Sequence, residues 1–200
     1  MIRHKPFSQA CENNQQPILE VLLRQLTDKN HVLEIGSGTG QHAAFFATHL
    51  PHLLWQTSDL AEHHDGIRLW VEDAGVDNLR PPLELDVTIR PWPIDAVEAV
   101  FSANTVHIMS WPVVRDFVAG VGCILKDDGV FCLYGPFNYG GEFTSDSNER
   151  FDQSLRMRGC GSGIRDFEAV EEIAVAAGLC LVEDNAMPAN NRLLVWRKTG

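Results

Sequence analysis

No stretch of this 200-residue sequence approaches the roughly 18 consecutive apolar residues of a membrane-crossing helix. The opening MIRHKPFSQACENNQQ also lacks the apolar core of a secretory signal. Cysteine is scarce: Cys11, Cys123, Cys132, Cys160 and Cys180 form an odd set with no Cys-x-x-Cys, against both a disulfide framework and a zinc knuckle. A reduced, cytoplasmic protein is expected. Basic charge is short as well, 16 Lys+Arg against 27 Asp+Glu, for a formal net charge of −11. That balance disfavours a nucleic-acid partner or an anionic membrane surface, both of which call for a basic footprint. The histidines do not space as metal ligands. Pro51 interrupts His49 and His52, and the adjacent His63 and His64 point to different helix faces, so no metal is expected. Repeats and low-complexity tracts are missing too.

What is present is an ordinary globular composition, 44% hydrophobic and 22% charged, in a chain long enough to bury a core as one domain over 1–200. Helical spacing begins at Pro17 with Ile18, Val21, Leu22 and Leu26, the proline suiting a first turn. Strands are expected at 31–35, 53–59, 83–87, 97–103 and 130–135, the last after a KDDG turn at 126–129. Between them lie helices ending at Pro51 and Gly75, and one opened by Pro112. A further helix capped by Asp166 and closed by Gly178 precedes two final runs, 179–184 and 192–198, with no helix between, so these pair as antiparallel neighbours. Such alternation predicts an α/β, doubly wound, mostly parallel sheet covered on both faces, with ligands at the carboxyl ends of its strands. The stretch 136–165 lacks a strong core pattern apart from a short helix at 147–158, and is expected to be a lid or substrate insertion.

The most informative segment is HVLEIGSGTGQH (31–42): strand, Gly36, Gly38, Gly40, helix. Glycines let the backbone turn tightly and approach a ligand without Cβ clashes. A dinucleotide fingerprint would be G-x-G-x-x-G, yet Gln41 stands at its last glycine; nor does a Gly-Lys-Ser/Thr follow, as a phosphate loop would need. Asp59 ends the second strand about 20 residues beyond the loop, where a carboxylate can accept ribose hydroxyls or cap the next helix. Asp86, with Val87, ends the third strand, where it can meet an adenine or cap a turn. Glu34 precedes the loop and can anchor it or face a cation. A ribose and adenine without phosphates, in an acidic pocket, suggest a cationic nucleoside. S-adenosylmethionine, a sulfonium, fits.

Glu34-x-Gly36-x-Gly38-x-Gly40, Asp59 and Asp86-Val87 resemble the first three motifs of class I S-adenosylmethionine-dependent methyltransferases. The resemblance implies a Rossmann-like seven-stranded sheet whose last strand is antiparallel. EIGSGTGQHA, WQTSD, LDVT, NTVHI, YGPF, SNERFD, GIRD and MPANN further resemble the methyltransferase-like protein 26 family over nearly the whole chain, with Asn13 where a basic residue is expected.

Asn104 follows the fourth strand, where class I enzymes line the methyl-transfer site; it also suits a turn. His107, on the same rim, can act as a general base or pack as an apolar-loop histidine. Tyr134 is a second catalytic candidate. In the insertion, Asn148, Asp152 and Arg156 share a helix face and, with Arg165, can meet substrate or form surface and salt-bridge contacts. Asn190 and Asn191 suit a hairpin turn and, through the family likeness, a substrate role. The expected function is S-adenosylmethionine-dependent methyl transfer to a small molecule or a protein side chain. The competing reading is a non-catalytic cofactor-binding or scaffold protein; a nicotinamide dehydrogenase has the wrong glycine spacing. Oligomeric state is not legible.

Overall fold

Ser8 starts the fold. In the computed structural model of the protein, which describes residues 5–200, its hydroxyl accepts from the Cys11 amide and caps α1 (Gln9–Gln25). The helix therefore begins well before Pro17, which sits inside it. The polar run CENNQQ carries no apolar period to announce a helix, whereas Ile18, Leu19, Val21 and Leu22 bury behind it and hold the turn that proline weakens.

There follow β1 (His31–Ile35), α2 (Gln41–His49), β2 (Leu54–Asp59), α3 (His64–Ala74), β3 (Leu79–Glu84), β4 (Val97–Ala103), α4 (Trp111–Ile124) and β5 (Leu125–Gly135). A two-stranded pair, β6 (Phe137–Asn138) and β7 (Arg165–Asp166), brackets α5 (Asp146–Met157). Then α6 (Phe167–Ala176), β8 (Leu179–Met187) and β9 (Asn191–Lys198) complete the chain. The main sheet has seven strands in the order β3-β2-β1-β4-β5-β9-β8. β9 runs antiparallel to both its neighbours, and the remaining pairs are parallel, so the expected doubly wound sheet with an antiparallel last strand is the fold observed. Ile18, Phe46, Trp55 and Phe101 fill the core between the sheet and α1, α2 and α3. Phe117, Phe131, Val170 and Trp196 fill the opposite one, under α4 and α6.

Two strands differ from the sequence pattern. The third runs over Leu79–Glu84 and not 83–87, leaving Asp86 and Val87 in the loop beyond it. Pro81 and Pro82 hide it, but β3 lies at the sheet edge, where a missing amide donor is tolerated. The KDDG turn is absorbed as a bulge: β5 begins at Leu125, and its register against β4 jumps from Val97↔Leu125 to Ala99↔Val130, with Asp128 at φ +61°. The Asp166 side chain makes no capping bond to α6. All five cysteines are free, and no helix among the described residues is long and apolar enough to cross a membrane.

The crossover from β3 to β4 has no helix. Trp92 covers that part of the sheet instead, with the Arg90 guanidinium 4.7 Å above its ring. The indole lies so close to α4 that a Cβ on Gly120 would come within 2.0 Å of Trp92 Cζ2. Gly120→Ala should therefore cost about 1–3 kcal/mol of stability through overpacking. Chemical denaturation reads this, and an unchanged midpoint would refute the packing role of Trp92.

Candidate active site

The carboxyl ends of β1, β2 and β4 open onto one cavity of about 790 Å³. It lies where the strand order turns from one side of β1 to the other, the usual ligand position in open α/β sheets. The amides of Gly36 and Ser37 both donate to the Ser58 carbonyl at 3.0 Å, and the Gly38 amide donates to Asp59 Oδ2 at 2.7 Å. The other Asp59 oxygen accepts from the Leu60 amide, also at 2.7 Å. The end of β2 thus grips three successive amides of the glycine turn.

The three glycines do different work. A Cβ on Gly36, at φ +73°, would meet Thr105 Cγ2 at 2.6 Å, so the loop presses against the residues after β4. Gly38 has φ +58° and nothing within 4 Å of a Cβ, leaving its backbone open to the cavity. Gly40 does not line the cavity. It caps α2 with φ +88°, where a Cβ would fall 2.9 Å from Ile67 Cα, so it seats α2 on α3.

Glu34 also lies outside the cavity lining. Its buried carboxylate accepts from Ser37 Oγ at 3.0 Å and Trp55 Nε1 at 3.2 Å, which makes it the loop's anchor from below. Burial, with a smaller push from Asp59, raises its pKa to about 7. Asp86 and Val87 line the cavity. The Asp86 side chain accepts from the Thr88 hydroxyl at 2.7 Å and its amide at 2.9 Å, bonds that hold its pKa below the usual value. Asn104 lines it too, in a left-handed turn at φ +61°, its amide donating to the Tyr134 carbonyl.

His107 forms part of the wall and is 5% exposed. Its Nδ1 has no partner, although the Gly135 backbone runs beside it. Burial, reinforced by Arg165 and Arg158, pulls its pKa down to about 4, so the ring is neutral at physiological pH.

The remaining predicted residues stand elsewhere. Tyr134 points to the α1 face of the sheet, buried with Cys132 and Val130, and burial raises its pKa. Strand alternation explains this, since its neighbour Leu133 takes the other face. Asn148 donates to Thr144 Oγ1 and the Asn190 carbonyl, tying α5 to the β8–β9 turn. Asp152 accepts from the Ile164 amide at 2.8 Å and pairs with Arg156 at 2.5 Å. Arg165 directs its guanidinium at the carbonyls of Val106, Met109 and Gly161. Asn190 reaches Ser147, and Asn191 the carbonyls of Pro188 and Ala189. None of these seven side chains lines the cavity. They brace the backbone around it, because an insertion without its own core needs polar ties to hold a shape.

Residues to which the sequence reading gave no binding role do line it: Ser8 at the start of α1, Cys11 within it, His42, Leu60, His63, Thr105, Ile108, Met109, Val113, and Phe151 from α5. Most are apolar or sit on α1, and nothing in their local pattern separates them from core residues. No lysine or arginine is among the lining residues, and no cluster of three or more potential metal ligands occurs among the described residues.

A family model described as "Protein of unknown function (DUF938)" matches residues 5–198. An O-methyltransferase family protein from Burkholderia thailandensis shares the fold with a TM-score of 0.83 at 16% identity, over 93% of this chain and 56% of its own length. An O-methyltransferase family 2 protein from Planctomyces limnophilus, in complex with apigenin, gives 0.84 at 16% identity, covering 95% and 58%. Human N-acetylserotonin methyltransferase, in complex with S-adenosylmethionine, gives 0.73 at 14%, covering 93% and 55%. The chain spans little more than half the length of these proteins, and at such identities the likeness is one of fold.

The Glu34 anchor carries a pH signature. Its pKa rises from 4.5 to about 7 on folding, so the folded state binds the extra proton between those values. Stability should fall by about 3 kcal/mol as pH rises from 4.5 through 7. Glu34→Gln should flatten that slope in denaturation curves taken at pH 5 and pH 8. An unaltered slope would refute the buried-carboxylate assignment.

Proposed function

We propose that this chain, which belongs to the DUF938 family, is an S-adenosylmethionine-dependent methyltransferase acting on a small molecule. One observation carries the reading: among the described residues, the cavity at the switch point is walled by two carboxylates, Asp59 and Asp86, and by no lysine or arginine. Phosphates would find no counter-charge there, while a cationic, phosphate-free nucleoside would. The open backbone at Gly38 and the carboxylate beside it suit that ligand's ribose and chain. Solved relatives of the same fold, PigF with S-adenosylhomocysteine and human N-acetylserotonin methyltransferase with S-adenosylmethionine, support the choice. The segments EIGSGTGQHA, NTVHI, SNERFD and MPANN add a resemblance to the methyltransferase-like protein 26 family, which supports the same reading. The acidic balance stands against nucleic-acid acceptors, and the free cysteines suit a reduced cytoplasmic setting.

S-adenosylmethionine, when bound, supplies a methyl group already activated on sulfur. The protein's task is then alignment more than acid–base chemistry. Gly36 and Gly38 admit the ligand to the sheet edge. Asp59 is held in place by the amides of Gly38 and Leu60, and its remaining lone pairs are free for ribose hydroxyls. Leu85, Asp86 and Val87 form the adenine wall, and Asn104 turns the chain toward the acceptor. His107 is poorly suited as a base: nothing in the protein accepts from Nδ1, so no partner stabilises an imidazolium. We assign it the role of a neutral hydrogen-bonding wall that orients the acceptor. The lack of a base also keeps a second reading alive, a protein that binds the cofactor without turnover. A metabolite extract scanned by mass spectrometry for a gained methyl separates the two.

Asp59→Ala should weaken S-adenosylhomocysteine binding about tenfold or more in calorimetry, as loss of a charge-assisted hydrogen bond predicts. Equal affinity for mutant and wild type would overturn the reading. For an active acceptor, the pH–rate profile should show no inflection between pH 6 and 8 that disappears in His107→Gln. Such an inflection would make His107 the base.

A further inference from the structure

Once Gly36, Gly38, Asp59, Asp86, Val87 and Asn104 are given to the cofactor, the part of the lining that comes from the segment after β4, from α4 and from α5 stands out by its composition. Ile108, Met109, Val113, Phe151 and His107 form it. Ile108 and Phe151 are large apolar side chains left 55% and 36% exposed at the cavity, where chance scatter of surface hydrophobes is a poor explanation. The rings of His107 and Phe151 meet edge to face, centroids 5.3 Å apart, and make an aromatic corner.

Charge is excluded from this part of the lining by construction. Arg165 lies outside the cavity lining and spends its guanidinium on the carbonyls of Val106, Met109 and Gly161, where it holds the 106–109 segment. Arg156 is paired with Asp152. Arg158 is likewise absent from the lining, so among the described residues an anionic ligand would find no cation in the wall itself, only the like charges of Asp59 and Asp86. A cationic ligand would find no carboxylate in the corner. His107 stands in the wall as a buried imidazole whose Nδ1 the protein leaves unpartnered, so it is not held as a charged group. At about 790 Å³ the cavity sits high in the range of small-molecule sites, roughly 300–1,000 Å³, as a space shared by two ligands should.

We propose that the corner formed by His107, Ile108, Met109, Val113 and Phe151 is the acceptor subsite, and that it takes a flat, apolar, uncharged molecule. The proposal rests on the methyltransferase reading for the word acceptor, but its chemistry can be tested separately. Two bicyclic probes of one shape and different charge, 2-naphthol and 2-naphthoate, are titrated by calorimetry at pH 7.5, with and without saturating S-adenosylhomocysteine. Naphthol is expected to bind at least tenfold more tightly than naphthoate and to keep binding beside the saturating nucleoside. Both Phe151→Ser and Ile108→Ser should weaken naphthol at least fivefold. Val182→Ser, at an exposed site on β8, should not. The proposal is overturned if naphthoate binds as well as naphthol, if neither binds, or if the corner variants bind like wild type. Displacement of naphthol by the nucleoside overturns it too, by placing the probe in the adenine site. If S-adenosylhomocysteine itself fails to bind wild type, the methyltransferase reading falls, and the naphthol arms without it still decide the subsite.

Discussion

Three successive amides, those of Gly36, Ser37 and Gly38, donate into the end of β2, two to the Ser58 carbonyl and one to the Asp59 carboxylate. That grip fixes how the chain leaves β1, and with it the direction of α2 and the floor of the cavity. Glu34 secures the same turn from beneath through Ser37 and Trp55. The loop is therefore shaped before any ligand arrives, and a ligand need not supply the ordering entropy. On the proposed reading Asp59 serves two purposes at once, as a structural acceptor and as the group presented to the ligand. This explains why a carboxylate with four lone-pair positions is used and not a hydroxyl.

The two halves of the site were not equally legible in the sequence. The glycine turn, Asp59, Asp86 and Asn104 could be found because each is a local feature, a spacing or a strand end, whose consequence follows within a few residues. β4 and β1 were delimited correctly because their β-branched and apolar runs end at polar or glycine residues. Pro81 and Pro82 obscured β3, since whether a proline is tolerated in a strand depends on edge position, a tertiary fact. Tyr134 is a catalytic candidate in sequence, whereas the face it takes is set by the parity of β5 against its neighbours. A one-residue difference in that parity decides which of the two cores a side chain enters.

The stretch 136–165 shows the opposite failure. Its polar residues suit substrate contacts in sequence, yet Asn148, Asp152 and Arg165 direct hydrogen bonds at backbone atoms of the protein itself. The residue that does reach the cavity, Phe151, looks in sequence like any apolar position on an amphipathic helix. In a segment too small to have a core, polarity maintains the shape and an apolar side chain is what remains for the ligand.

α5 is suspended by Asn148 from the carbonyl of Asn190, in the turn that joins β8 to β9 at the antiparallel edge of the sheet. The wall that carries Phe151 therefore takes its position from a hairpin on the far side of β5, well removed from the glycine turn. On the proposed reading, a substitution in that hairpin would touch neither ligand and leave the floor intact, yet it would widen or narrow the slot between wall and floor. Ligand preference in this architecture can drift by adjusting a hinge pin, with every contact residue unchanged.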